Sequence, residues 1–389
     1  MLTQKPPRRR YFDWAATAPP AAAEGIAAPA EAPFGNPSSP HREGALAREA
    51  LEGARARCAA ALGVPPGGIV FTSGGTEANA LVIMAQALRP GRASTLYAAS
   101  EHPSVRENCL LLQRLGRPVR ALPVSPEGML DRERLEDALT KKDDGHAAPR
   151  FLAVMAVNNE TGVINEIPAI ARLVRERASA PVHIHCDIVQ AAGKVPITLS
   201  EWDVDSAALS AHKLGGPRGI GLLYLRKPLE PLYRGGGQEK GLRPGTENTA
   251  GALALAAVLE ARVKNLRDAD ARARERFRHL ISELKKMPRC ALIPSCRAAD
   301  DARFSPWILQ AAFSGAPGEV LTRSLDEAGF AVSTGSACSS RSPERPVLEA
   351  MGVSEARRLE GIRISQGWTT TREDIDALLE ALREALAFL

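Results

Sequence analysis

An α/β fold is what the sequence predicts: a large domain built on a mainly parallel sheet covered by helices, then a smaller α/β domain at the C-terminal end. Two observations lead there. From about residue 64 to residue 226, short apolar runs alternate with amphipathic segments, the pattern left by strand–helix crossovers in a sheet covered on both faces. After a glycine-rich stretch, YRGGGQEKGLRPGTEN (233–248), and a long helical region reaching about Lys286, the alternation resumes on a smaller scale. A length of 389 residues suits two or three such units.

Taken in order, ALAREALEGARARCAAALG (45–63) reads as a helix closed by Gly63, because a glycine just past the last turn enters the left-handed cap conformation without a Cβ penalty. Strands follow at GIVFTS (68–73), STLYAA (94–99), RFLAVMAV (150–157), VHIHCD (182–187), DSAALSAH (205–212) and GIGLLYLR (219–226). Helices lie between most of them, for example over EANALVIMAQAL (77–88) and PAIARLVRER (168–177). In the C-terminal part WILQAAF, FAVST and GIRIS alternate with the helical GEVLTRSLDEAG and a closing REDIDALLEALREALAF. We divide the chain into a large domain over 13–260 and a small one over 261–389, which residues 1–12 join. The low-complexity patch AAAEGIAAPAEAP (21–33) reads as a loop.

Composition narrows the function. A net charge of +5, with basic and acidic residues interleaved except at Arg8 to Arg10, is not the one-sided footprint of a nucleic-acid binder. MLTQKPPRRR passes into YFDWAATAPP without the apolar stretch of about 7–15 residues that a signal peptide needs. The longest apolar runs fall short of the roughly 20 residues that span a bilayer. A cytoplasmic protein without a membrane anchor is expected. The six cysteines (58, 109, 186, 290, 296 and 338) show neither CxxC nor zinc-type spacing, so reduced thiols and no metal site are expected.

Three stretches carry chemistry. In LSAHKLGGPRGIG (209–221), Lys213 follows a buried strand, where open α/β sheets bind ligands. Partial burial there lowers an amine toward reactivity, although a lysine after a strand is by itself more often a solvated loop residue. FTSGGTEAN (71–79) ends a strand in Ser-Gly-Gly-Thr and opens a helix, offering backbone N–H groups and a hydroxyl to an anion such as phosphate. HCDIVQAAGK (185–194) puts Asp187 at a strand end with Gln190 three residues on, and a buried carboxylate there wants a cationic partner. A phosphate cradle, an amine and an acid for a ring nitrogen are the parts that pyridoxal 5'-phosphate (PLP) requires.

With these parts in place, the sequence resembles the PLP-dependent cysteine desulfurases of the NifS/IscS family, within the class V aminotransferase group. The matching stretches run in order: FGNPSSPH (34–41), FTSGGTEAN (71–79), EHPSV (101–105), NNETG (158–162), CDIVQAAGK (186–194), SAHKLGGPRGIG (210–221), GGGQEKGLRPGTEN (235–248), STGSACSS (333–340) and GIRIS (361–365). The resemblance implies a fold-type I PLP-dependent transferase with a mainly parallel seven-stranded sheet. By the same resemblance Lys213 forms the Schiff base, Asp187 pairs with the pyridinium nitrogen and Gln190 bonds the ring hydroxyl. His102 lies over the ring and assists proton transfer. Gly75, Thr76, Ser210 and His212 hold the phosphate, with Thr246 reaching it from the neighbouring subunit of a homodimer. Asn159 lies near the ring hydroxyl and the substrate carboxylate, and Arg363 binds that carboxylate, where a bidentate fork makes physical sense.

The resemblance also accounts for Cys338, a lone thiol among small polar residues. In this family such a cysteine attacks the sulfur of the cysteine–PLP adduct, keeps it as a persulfide and releases alanine, so it must act as a thiolate. STGSACSS and the stretch to Arg363 resemble the longer loop of the NifS/IscS branch rather than the short one of the SufS branch. That implies delivery to a protein sulfur acceptor such as an iron–sulfur scaffold. The chain departs from the family pattern at YFDWAATAPP, where Trp14 and Ala15 replace two asparagines and Ala18 a threonine, at CDIVQ with Cys186 and Ile188, and at NNETG. The rival readings are a selenocysteine lyase or other PLP-dependent C–S lyase and, outside enzymes, a non-catalytic regulatory paralogue. Loss of Lys213 or Cys338 would have favoured the paralogue, and both are present.

Overall fold

A computed structural model of the chain describes residues 9–26, 32–141, 147–335 and 345–389. The described strands, in order, are β1 (Arg10–Tyr11), β2 (Ile69–Thr72), β3 (Ser94–Ala98), β4 (Val119–Leu122), β5 (Pro149–Met155), β6 (His183–Asp187), β7 (Ser206–Ser210), β8 (Gly221–Leu225), β9 (Cys290–Ile293), β10 (Ile308–Phe313), β11 (Phe330–Ala331) and β12 (Gly361–Ser365). Seven of them form one sheet in the order β2-β8-β7-β6-β5-β3-β4. Only β8 runs against its neighbours; the other six point the same way. The ten residues between β7 and β8 leave no room for a helical crossover, so an antiparallel return is what that connection permits.

Apolar side chains fill both faces of this sheet. Leu152, Val154, Ile184 and Leu222 pack with the helices Arg42–Leu62 and Thr249–Lys264 on one side. Phe151, Ala153 and Leu223 meet the helices Gly75–Met84 and Pro103–Arg114 on the other. The first helix ends as the sequence predicts, with Gly63 at φ 67° donating its N–H back to the last turn. The structure adds two details. The long helical region reaching about Lys286 consists of two helices, Thr249–Lys264 and Leu266–Leu284, because Asn265 leaves the helix and caps the first. VRAL (119–122), not among the strands read from sequence, is the edge strand β4, whose partly exposed residues lack the continuous apolar run of its neighbours.

A second, antiparallel sheet, β12-β10-β9, has its own core of Phe277, Leu309, Phe313, Ile362 and Leu378. The N-terminal segment joins this side: β1 pairs in parallel with β11, and Phe12 is buried in the same core. Among the described residues no helix is long and apolar enough to cross a membrane.

Candidate active site

Five of the parallel strands bring their carboxyl ends to one region. β6 ends on Asp187, and β7 ends on Ser210 with His212 and Lys213 in the short turn Ala211–Lys213 that follows. β2 leads through Ser73 and Gly74 into the helix Gly75–Met84, whose first N–H groups have no carbonyl partner within the helix. A Cβ on Gly75 would come within 2.7 Å of Val189 Cγ2, so the turn and the segment after Asp187 pack at glycine distance. β3 leads to His102, the N-cap of the helix Pro103–Arg114, and β5 leads to Asn159. Arg363 reaches the same place from β12 of the other sheet.

These elements enclose a cavity of about 200 Å³, lined by every site residue expected from the sequence except Thr246 and Cys338. Thr246 is exposed and off this cavity, and Cys338 lies outside the described residues. A larger cavity of about 680 Å³ opens beside β2 and the 228–242 segment, but among the described residues its lining contains no carboxylate, histidine or cysteine. The chemistry therefore concentrates in the smaller one.

Electrostatics sort the lining groups into roles. Asp187 accepts from Asn79 Nδ2 (2.8 Å, Oδ2) and from the Val189 N–H (2.9 Å, Oδ1), both neutral donors. Glu101, fully buried nearby, has its carboxyl pushed well up, by burial first and by the charge of Asp187 second. His102 Nδ1 accepts from the Ser104 N–H (3.1 Å) and lies 2.8 Å from the Ser104 hydroxyl. Burial lowers the His102 pKa, so the ring is neutral near pH 7 and carries its proton on Nε2. His212 is held down to about 4 by burial and by Lys213.

Lys213 Nζ donates to the carbonyls of Ala15 (2.6 Å) and Ala16 (2.7 Å). Gln190 donates to Ala15 O (2.8 Å) and accepts from Lys194 Nζ (3.0 Å), a fully buried amine that burial drives down to about 7. Arg363 donates through Nη1 to Asn159 O (2.9 Å) and through Nη2 to Asp13 Oδ1 (2.7 Å). Its Nε, and Asn159 Oδ1, are buried without a partner among the described residues.

A phosphorylated pyridine suits this donor set. The buried carboxylate answers a ring cation, Asn159 Oδ1 is an acceptor awaiting a donor, and the helix start with Thr76, Ser210 and His212 offers donors to an anion. Sequence reasoning missed Asn79, Ser104, Asp13, Lys194 and the Ala15 and Ala16 carbonyls. Backbone carbonyls carry no residue-type signal, and Asn79 was passed over although it falls one helical turn after Thr76. Trp14, at the departure from the family pattern, is buried against Trp368 (ring centroids 5.8 Å apart) and does not line the cavity.

The chain is similar to known proteins over nearly its whole length. The family described as Aminotransferase class-V matches residues 10–378. A protein of Dictyoglomus turgidum named cysteine desulfurase IscS is 35% identical over 97% of this chain and 95% of its own. A cysteine desulfurase of a Nostoc species is 36% identical over 90% of this chain and 86% of its own. Among solved structures, a NifS-like protein superposes with a TM-score of 0.87 at 33% identity, over 98% of this chain and 100% of its own. A structure titled SspA in complex with cysteine does so with a TM-score of 0.74 at 30% identity, over 92% and 98%.

Proposed function

Because the chain belongs to the aminotransferase class-V family, we propose that it is a PLP-dependent L-cysteine desulfurase that yields L-alanine and a persulfide on Cys338. The observation that carries this reading is the convergence of Lys213, Asp187, His102 and Arg363 on one cavity of about 200 Å³. When bound, PLP supplies an electron sink for the bonds around the α-carbon of the amino acid.

The residues of the chain do the rest. Gly75, Thr76, Ser210 and His212 bind the phosphate end, Gln190 and Asn159 the ring substituents, and Asp187 the ring nitrogen. Lys213, withdrawn from the Ala15 and Ala16 carbonyls, anchors the cofactor. Arg363, whose plane is set by Asn159 O and Asp13, presents its remaining N–H groups to the substrate carboxylate. His102 holds a proton on Nε2 for delivery to the carbon skeleton. The Cys338 thiolate forms an S–S bond to the substrate sulfur as the Cβ–S bond breaks; the bonding pair stays on carbon, takes up a proton and leaves as alanine.

In this reading residues 13–260 hold the cofactor and 261–389, with 1–12, carry the sulfur-transfer loop. The exposed Thr246 serves the site of a second copy in a cytoplasmic homodimer, and a protein acceptor such as an iron–sulfur scaffold receives the sulfur. The test is product analysis with L-cysteine and a thiol reductant. Equimolar alanine and sulfide support desulfuration, whereas pyruvate with ammonia, or turnover confined to selenocysteine, contradicts it.

A further inference from the structure

Strand β6 places His183, His185 and Asp187 at alternate positions, hence on one face of the sheet. Beneath the helix Gly75–Met84 they form part of a connected chain. His183 Nε2 lies 2.7 Å from Ser206 Oγ, which lies 2.8 Å from His185 Nδ1; His185 Nε2 lies 2.8 Å from Asn79 Oδ1. Asn79 Nδ2 then donates to both Asp187 Oδ2 and Ser104 Oγ, each at 2.8 Å. Asn79, His185 and Ser206 are wholly buried.

The chemistry of the groups dictates the direction of each bond. Turned the other way, Asn79 would face its carbonyl oxygen to the Asp187 carboxylate, acceptor against acceptor, so Nδ2 must face Asp187. Oδ1 then accepts, and His185 Nε2 must carry a proton. Burial holds His185 at about 3 and His183 at about 4, so both rings are neutral near pH 7. Nδ1 of His185 is therefore bare and receives the Ser206 hydroxyl proton, and Ser206 in turn receives His183 Nε2–H. Every proton points toward Asn79, whose two N–H groups divide between Asp187 and, through Ser104, His102.

We propose that Asn79, oriented by His185 and Ser206, is the positioning residue that holds the Asp187 carboxylate as an aimed anion for the cofactor ring nitrogen and, through Ser104, backs the Nε2–H form of His102. This rests on the cofactor assignment above, and the test separates the two. The full-length protein, stripped of PLP, is titrated with PLP and with its 1-deaza analogue, in which a C–H replaces the ring nitrogen. Asn79→Ala weakens PLP roughly ten- to hundredfold, the worth of one hydrogen bond to a charged group, and leaves the affinity for the deaza analogue within twofold.

Equal losses for both ligands would mean that Asn79 merely supports the fold, and no loss for either would mean that Asp187 needs no positioning; each result overturns the proposal. A wild-type protein that binds neither ligand would overturn the cofactor assignment itself and this inference with it. Should Asn79→Ala not fold, ¹⁵N-histidine spectra of the wild type and of Ser206→Ala decide. The wild type should show His185 solely as the Nε2–H tautomer, and Ser206→Ala a mixture. His185 protonated on Nδ1 in the wild type would reverse the chain and refute it.

Discussion

Arg363→Lys isolates the geometry of the guanidinium from its charge. Arg363 is 1% exposed, and among the described residues two of its five N–H bonds are engaged, to Asn159 O (2.9 Å) and Asp13 Oδ1 (2.7 Å), while Nε has no partner. Those two bonds fix the plane of the group, and the remaining N–H groups form the fork we assign to the substrate carboxylate. A lysine keeps the positive charge near Asp13 but offers a point charge in place of two parallel donors. The variant loses about one charge-assisted hydrogen bond to substrate, ~1.5–3 kcal/mol, or roughly ten- to hundredfold. Since that contact is made equally in the ground and transition states, the loss should fall on KM for L-cysteine, with kcat changing severalfold at most. PLP affinity, which does not involve the fork, should hold. Steady-state alanine formation, with a PLP titration of the same variant, checks this. An unchanged KM, or a loss of PLP affinity as large as the loss in KM, would refute the assignment.

Three further predictions follow from single residues. Lys213→Ala, purified with added PLP, should be colourless near the visible edge, where a lysine-bound cofactor absorbs; an unchanged band would place the anchoring amine elsewhere. His185 should make folding acid-sensitive: burial depresses its pKa from 6.5 to about 3, so below about 6.5 the unfolded chain takes up a proton that the folded protein refuses. Its contribution is full above pH 6.5 and is lost as pH falls toward 3, while Glu101, raised well above 4.5, contributes at low pH and loses it as pH rises. Replacing His185 with Gln should therefore flatten the urea-unfolding stability between pH 6 and pH 4 by about 1.4 kcal/mol per pH unit, one proton's worth, and an unaltered slope would contradict a buried neutral ring. Gly367→Ala should destabilise by about 3 kcal/mol or more, because the new Cβ would stand 1.9 Å from Trp14 Cδ2; an unchanged Tm would show that the indole can move aside.

What the sequence made legible was whatever a residue type signals by its position. Strands buried on both faces stand out as short apolar runs, and Asp187, Ser210 and Lys213 announce themselves as polar residues where such runs end. Edge strand β4 does not, because VRAL is half solvated and its pairing with β3 is a tertiary fact. Arg363 could be suspected between two isoleucines, but its meeting with Asn159 and Asp13 depends on how two sheets face each other. The alternation of His183, His185 and Asp187 was visible all along in VHIHCD. It was not read as a site because its partners, Asn79 and Ser206, lie 106 and 21 residues from His185.

The most direct test is mass spectrometry of the PLP-loaded protein after incubation with L-cysteine and no reductant, mapping added sulfur to peptides. One sulfur gained on the peptide containing Cys338, with stoichiometric alanine, is the predicted result. A bound cofactor that responds to cysteine while Cys338 gains no sulfur would contradict the desulfurase account.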